Sequence, residues 1–188
     1  MALAVGQLGH GFLQEAHADR ALLALGELGF LATRADFLIN WGRKNSLWPM
    51  PLGLSCCGIE LMATAASRYD IARFGAEAIR FSPRQSDLLI CAGIVNAKMS
   101  PILKTIYDQM SEPKWVMSFG ACASSGGVFP VYSVTQGIDK IIPVDIYIPG
   151  CPPSPESVLD GLLKLRDLVQ KGDTHSLCRI RERRPAEA

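Results

Sequence analysis

The chain has 188 residues, 48% hydrophobic and 20% charged, with a formal net charge of +1. That balance fits one globular domain with a sizeable core, and it gives no electrostatic reason to expect nucleic acid or an acidic substrate. Six cysteines in this length are too sparse for a small disulfide scaffold.

The N-terminal arm, 1–33, is rich in Ala, Leu and Gly and low in charge, and it reads as a marginal helix or a partner-docking segment. Residues 1–20 lack a basic n-region and an Ala-x-Ala-like cleavage signal, which argues against export and for a reducing compartment with free, metal-bound or buried thiols. The longest apolar stretch, Ala21–Ala32, contains Glu27 and falls short of the roughly 20 residues of a spanning helix.

The main domain is expected over 34–171. Thr33–Asp36 offers a helix N-cap, and Phe37, Leu38 and Trp41 follow at helical spacing before Gly42-Arg-Lys closes the piece. Phe37 and Trp41 read as ordinary packing or as an interfacial anchor against lipid or a membrane-embedded partner. From residue 46 short apolar runs alternate with helical segments. Strands are expected at Ser46–Ser55, Asp87–Gly93, Trp115–Gly120 and Val144–Ile148. Helices are expected at Gly58–Ser67, Ala97–Met110, Val131–Ile141 and Pro155–Lys171. The last has Ser154 as cap and Pro155 at its first position, with Val158, Leu162, Leu165 and Val169 on one face. The tail, 172–188, is basic over Arg179–Arg184 and reads as a solvated segment or one that holds a neighbouring protein. Alternating strands and helices imply an α/β, flavodoxin-like fold: a mostly parallel sheet with helices on both faces.

In such sheets ligands bind beyond the carboxyl ends of the strands. Cys56 and Cys57, Cys122 and Cys151 each follow a candidate strand, so residues 65 and 29 positions apart can meet at one edge. Gly53, Gly58, Gly120, Gly126, Gly127 and Gly150 flank them, and glycine lets backbone approach a bulky inorganic body. Four converging thiolates are what an iron–sulfur cluster needs. Structural zinc fits poorly, because no pair of C-x₂₋₄-C motifs exists. A catalytic thiol or a Rieske centre fits poorly too, because His10, His17 and His175 lie outside these regions. Cys91 reads as a core thiol and Cys178 as incidental. The tandem pair must leave strand geometry to serve one cluster, so local strain and an easily detached ligand are expected there. No G-x-G-x-x-G, P-loop or H-E-x-x-H is present, so no site for NADH or flavin is legible and electrons need partner proteins.

Four blocks are distinctive: Ser46-Leu-Trp-Pro with Gly53-Leu-Ser-Cys-Cys-Gly-Ile-Glu-Leu-Met62, Ser82–Asp87, Pro113–Gly127, and Pro143–Pro153. Over about 34–171 the chain resembles the B subunit of respiratory complex I, the PSST-type or 20 kDa subunit of NADH–quinone oxidoreductase. The resemblance implies one [4Fe–4S] cluster, the last before quinone, on Cys56, Cys57, Cys122 and Cys151. It implies docking to the 49 kDa-type subunit, to the ferredoxin-like cluster subunit and to the membrane arm, with quinone reduced between this chain and the 49 kDa-type subunit. Met62 and the segment around Arg80 would lie near the quinone cavity, and Glu60, Asp70 and Asp87 match acidic positions near cluster and quinone.

From the residues themselves, Glu60 stands one helical turn from Cys57 and could take a proton on cluster reduction, or be simply solvated or salt-bridged. Met62 is core or a quinone contact, and Arg80 and Arg84 are structural ion pairs or headgroup and partner contacts. Ser55 and Gly58 depart from the Ala that is frequent in relatives. The arm has no Arg-rich presequence, which points to a bacterial protein, peripheral on the cytoplasmic side of the cell inner membrane. Two other readings are the small subunit of a membrane-bound nickel–iron hydrogenase and a non-enzymatic scaffold around a structural cluster.

Overall fold

A computed structural model of the chain describes residues 37–171. The expectations for the arm up to residue 36 and for the tail beyond 171, Cys178 included, lie outside the described residues. The chain divides into two compact units, Met1–Ile39 and Asn40–Ala188, and the account below concerns the second.

Helix α1 (37–45) leads into four parallel strands, β1 (Pro49–Gly53), β2 (Leu88–Ala92), β3 (Trp115–Phe119) and β4 (Ile146–Ile148), ordered β1-β2-β3-β4. Between and after them lie α2 (Cys56–Ala65), α3 (Ser100–Gln109), the short α4 (Ala121–Ser125) and α5 (Pro155–Lys171). The expected parallel α/β architecture is what the chain adopts.

The strand sequences explain the two-sided core. Leu88, Ile90, Trp115, Met117, Phe119 and Ile148 alternate onto one face, where Leu61 of α2 and Val158, Leu162, Leu165 and Val169 of α5 cover them. Leu89, Cys91 and Val116 point to the other face, against Leu103 of α3 and Ile138 and Ile142. Both central strands are buried along their whole length, β2 as a continuous apolar run and β3 as one interrupted only by Ser118, as a doubly covered parallel sheet requires.

Residues 75–80 lie beside β1 on its outer edge. Leu47 N donates to Gly75 O at 3.0 Å and Arg80 N donates to Pro49 O at 2.9 Å. They never become a strand because Pro49 and Pro51 of β1 have no N–H to offer on that side. Counting this edge segment, the chain order reverses between β1 and β2, the arrangement of a flavodoxin-like sheet.

One expected helix is absent. Val131–Ile141 is mostly irregular, with an antiparallel bridge Asn96–Val134 and a single 3₁₀ turn, Ile138–Lys140. Gly137 at φ +97° interrupts any helical path there. At the other end of the molecule Arg166 of α5 fastens the exit of α1. Its Nε donates to Lys44 O at 3.1 Å and its NH2 to Asn45 Oδ1 at 2.7 Å.

Cys91 is fully buried, and burial pushes its thiol from 9.0 up to about 12. A folded-state value above the unfolded one stabilises the fold below about pH 9, and that contribution is lost as pH climbs through 12. Thermal melts of the Cys91→Ala chain should show a shallower loss of stability over that alkaline window than melts of the parent.

Candidate functional site

The parallel register ends the four strands at one level: Gly53 pairs with Ala92, Ala92 with Phe119, and Phe119 with Ile148. Cys56, Cys122 and Cys151 each come three residues after the last residue of β1, β3 and β4. Backbone hydrogen bonds continue the ladder into the exits: Leu54 N to Ala92 O at 2.9 Å, Gly120 N to Ile148 O at 3.0 Å, Ala121 N to Gly150 O at 2.8 Å. The four cysteines are thereby presented on one rim, all as free thiols.

Cys57 and Cys122 are buried, while Cys56 and Cys151 are exposed. Burial, and then the neighbouring Cys56, Cys122 and Cys151, push the Cys57 thiol from 9.0 to about 11. Burial, Cys151 and Cys56 push Cys122 up as well. These mutual effects tie all four sulfurs into one electrostatic group. Among the described residues no three His, Cys, Asp or Glu side chains are arranged to hold a single metal ion. A polynuclear iron–sulfur cluster takes its thiolates around a body several ångströms across.

The surroundings suit such a body. A Cβ added to Gly120 would stand 2.7 Å from Cys57 Sγ, and one added to Gly127 would stand 2.9 Å from Cys122 Sγ. Both glycines have positive φ, +92° and +61°, and any side chain there would invade the space beside the sulfurs. Ser118, buried in β3, shares a 3.0 Å hydrogen bond with Ser124, whose hydroxyl also donates to Gly120 O at 2.9 Å. This pair fixes α4, and with it Cys122, to its strand.

The tandem pair leaves strand geometry by opening α2. Successive helical side chains diverge by about 100° rather than 180°, so Cys56 and Cys57 are not forced to opposite faces. Ser55 is extended at φ −158°, and Asp70 is the only non-glycine with positive φ among the described residues. The expected strain at 56–57 is therefore not seen.

Glu60, half-buried in the second turn of α2, stays close to the thiol rim in the chain. Asp70 and Asp87 do not. α2 runs about 15 Å back from the rim, and Asp70 follows it. There Asp70 adopts φ +50°, accepts from Ala72 N at 3.3 Å and pairs with Arg73 at 3.4 Å. Asp87 precedes β2, with its N–H on Trp48 O at 3.0 Å, at the amino ends of the strands. Burial raises its carboxyl pKa against the opposing pull of a backbone hydrogen bond and Arg43. Strand direction separates both carboxylates from the cysteines.

Met62 is brought together with the segment around Arg80, though not with its charge. Pro51, Gly53, Ser55, Ile59, Met62 and Phe81 are among the residues lining an apolar groove of about 490 Å³ beside the tandem cysteines. Met62 is 66% and Phe81 78% exposed, so large apolar side chains face solvent along this groove. Arg80 instead lays its guanidinium 4.9 Å from the Trp48 ring centroid, a cation–π contact beside a separate open cavity that Asn45 and Glu77 also line. Sequence reasoning missed Ile59 and Phe81 in the groove and the serine pair under Cys122. The groove's signal was present: Ile59, Met62 and Phe81 are bulky groups off the buried helical and strand faces.

The chain is similar to several known proteins. The B subunit of NADH-quinone oxidoreductase from Flavobacterium johnsoniae is 59% identical over 142 residues, 76% of this chain and 78% of that protein. Its counterpart from Akkermansia muciniphila is 57% identical over 164 residues, 86% of this chain and 83% of that protein. A chain of the membrane-bound sulfane sulfur reductase, an archaeal respiratory membrane complex, superposes with TM-score 0.69 at 40% identity, covering 73% of this chain and 77% of that one. A chain of a NAD+-reducing [NiFe]-hydrogenase shares the fold at TM-score 0.50 and 21% identity, covering 65% of this chain and 92% of that one. The family model described as NADH ubiquinone oxidoreductase, 20 Kd subunit, matches residues 55–165, a span that holds all four rim cysteines, and the chain belongs to that family.

Proposed function

We propose that this chain is the electron-transfer subunit of a proton-translocating NADH–quinone oxidoreductase. It holds one [4Fe–4S] cluster on Cys56, Cys57, Cys122 and Cys151 and serves quinone at its contact with the 49 kDa-type subunit. One observation carries the reading: the exits of β1, β3 and β4 deliver four free thiols to one glycine-lined rim, where burial and the neighbouring thiols push Cys57 and Cys122 up. When bound, such a cluster supplies one-electron chemistry. The chain's own residues hold it, exclude water from the Cys57 and Cys122 side, and offer the apolar groove to a quinone ring. Glu60 is the carboxylate of α2 suited to take up a proton beside it. The names of the relatives support membership in the multisubunit enzyme.

Among the described residues no helix is long and apolar enough to cross a membrane, which accords with peripheral attachment, here assigned to the cytoplasmic side of a bacterial inner membrane. The ferredoxin-like cluster subunit and the membrane arm are the further partners. The hydrogenase reading has only a likeness of fold behind it, at 21% and 16% identity.

Substituting Cys122→Ser in the intact complex should abolish the cluster's paramagnetic resonance signal and quinone reduction together, and an unchanged signal with full turnover would sink the assignment. Because thiols bind metal only as thiolates and Cys57 stands near 11 before loading, taking up iron and sulfide must release protons. Reconstitution of the stripped complex should therefore go further at about pH 8 than at about pH 6. Phe81→Ala should leave the cluster signal intact and lower kcat/KM for quinone by roughly tenfold, measured by steady-state reduction of a short-chain quinone.

A further inference from the structure

β2 lies between the strands that deliver the thiols, yet its own exit carries none. Ala92 is followed by Gly93-Ile94-Val95, level with the exits that hold Cys56 and Cys122. What β2 offers instead is a backbone N–H. Ile94 N donates to Ser55 Oγ at 3.1 Å, a bond between residues 39 positions apart. Gly93 makes the approach possible: at φ +109°, a Cβ there would collide with Ser55 Oγ and stand 2.9 Å from Ser55 N.

Ser55 occupies the N-cap position of α2, where a serine hydroxyl ordinarily accepts from the first-turn N–H groups of its own helix. Here it makes no such cap. Its oxygen is turned to the neighbouring strand exit, and the opening turn, Cys56 and Cys57, keeps its N–H groups clear of any side-chain cap. Free first-turn N–H groups favour negative charge beside them, which is the charge two thiolates bring. The same serine is one of the residues lining the apolar groove.

We propose that Ser55 is a positioning residue for the tandem cysteines. By engaging Ile94 rather than α2, it locks the turn that aims Cys56 and Cys57 to the one strand exit that lacks a ligand. The proposal rests on the cluster assignment above. It concerns the geometry and tuning of that site rather than its existence.

The test uses the purified complex carrying Ser55→Ala, Ser55→Thr or Gly93→Ala. Threonine keeps the hydroxyl and tolerates the extended backbone at φ −158°. Ser55→Ala should retain full iron and sulfide, yet shift the g-values and midpoint potential of the cluster and lose iron to a chelator about tenfold faster. Ser55→Thr should restore the parent spectrum, potential and chelator resistance. Gly93→Ala, with the hydroxyl present but displaced, should reproduce the alanine phenotype or worsen it. Parent-like g-values, potential and iron loss in Ser55→Ala would overturn the role of Ser55. A parent complex with no cluster on the four cysteines would instead overturn the underlying assignment, so the two failures are told apart.

Discussion

The register of the parallel sheet is the constraint on which the site depends. Because Gly53, Ala92, Phe119 and Ile148 finish their strands at one level, an equal offset in sequence becomes an equal height in space. A slip of one residue in any pairing would turn that strand's side chains to the wrong faces and lift its thiol out of the common rim. The core enforces the register. Leu88, Ile90, Met117 and Phe119 must meet α2 and α5 on one face while Leu89, Cys91 and Val116 meet α3 on the other. Packing that says nothing about electrons thus determines where they can be held.

Burial then divides the thiols by task. Cys57 and Cys122 are enclosed, and the low polarity that raises their pKa values also strengthens any charge interaction made there. Cys56 and Cys151 are exposed, and the apolar groove that Met62 and Phe81 line includes Ser55 and Gly58, which flank the tandem pair. Enclosure on one side and an open apolar flank on the other suit a centre that must be sheltered yet reachable by a bulky ring and by another protein of the assembly.

Much of this was legible in the sequence, for physical reasons. The largely apolar runs of β2 and β3 and the heptad-like spacing of Val158, Leu162, Leu165 and Val169 in α5 are pattern signals, and each of those residues is buried as expected. The four cysteines stood out because each followed a strand and sat among small residues. What failed or stayed hidden depends on distance rather than pattern. The region 131–141 contains helix-compatible residues, but Gly137 and the bridge from Val134 to Asn96 impose another path. The resemblance associates Asp70 and Asp87 with the cluster and quinone region, and in the fold the direction of α2 and β2 sets both back from the cysteine rim. The contact of Ser55 with Ile94 joins two exits 39 residues apart, and no local periodicity announces it.

The grip of Arg166 on Lys44 and Asn45 has a bearing on biosynthesis. The stretch that hands the chain from α1 to β1 is translated early, but the guanidinium that secures it is made 121 positions later. During elongation that junction stays unfastened until α5 leaves the ribosome. Premature termination anywhere before α5 would therefore loosen the junction between α1 and β1 as well as remove the helix that secures it.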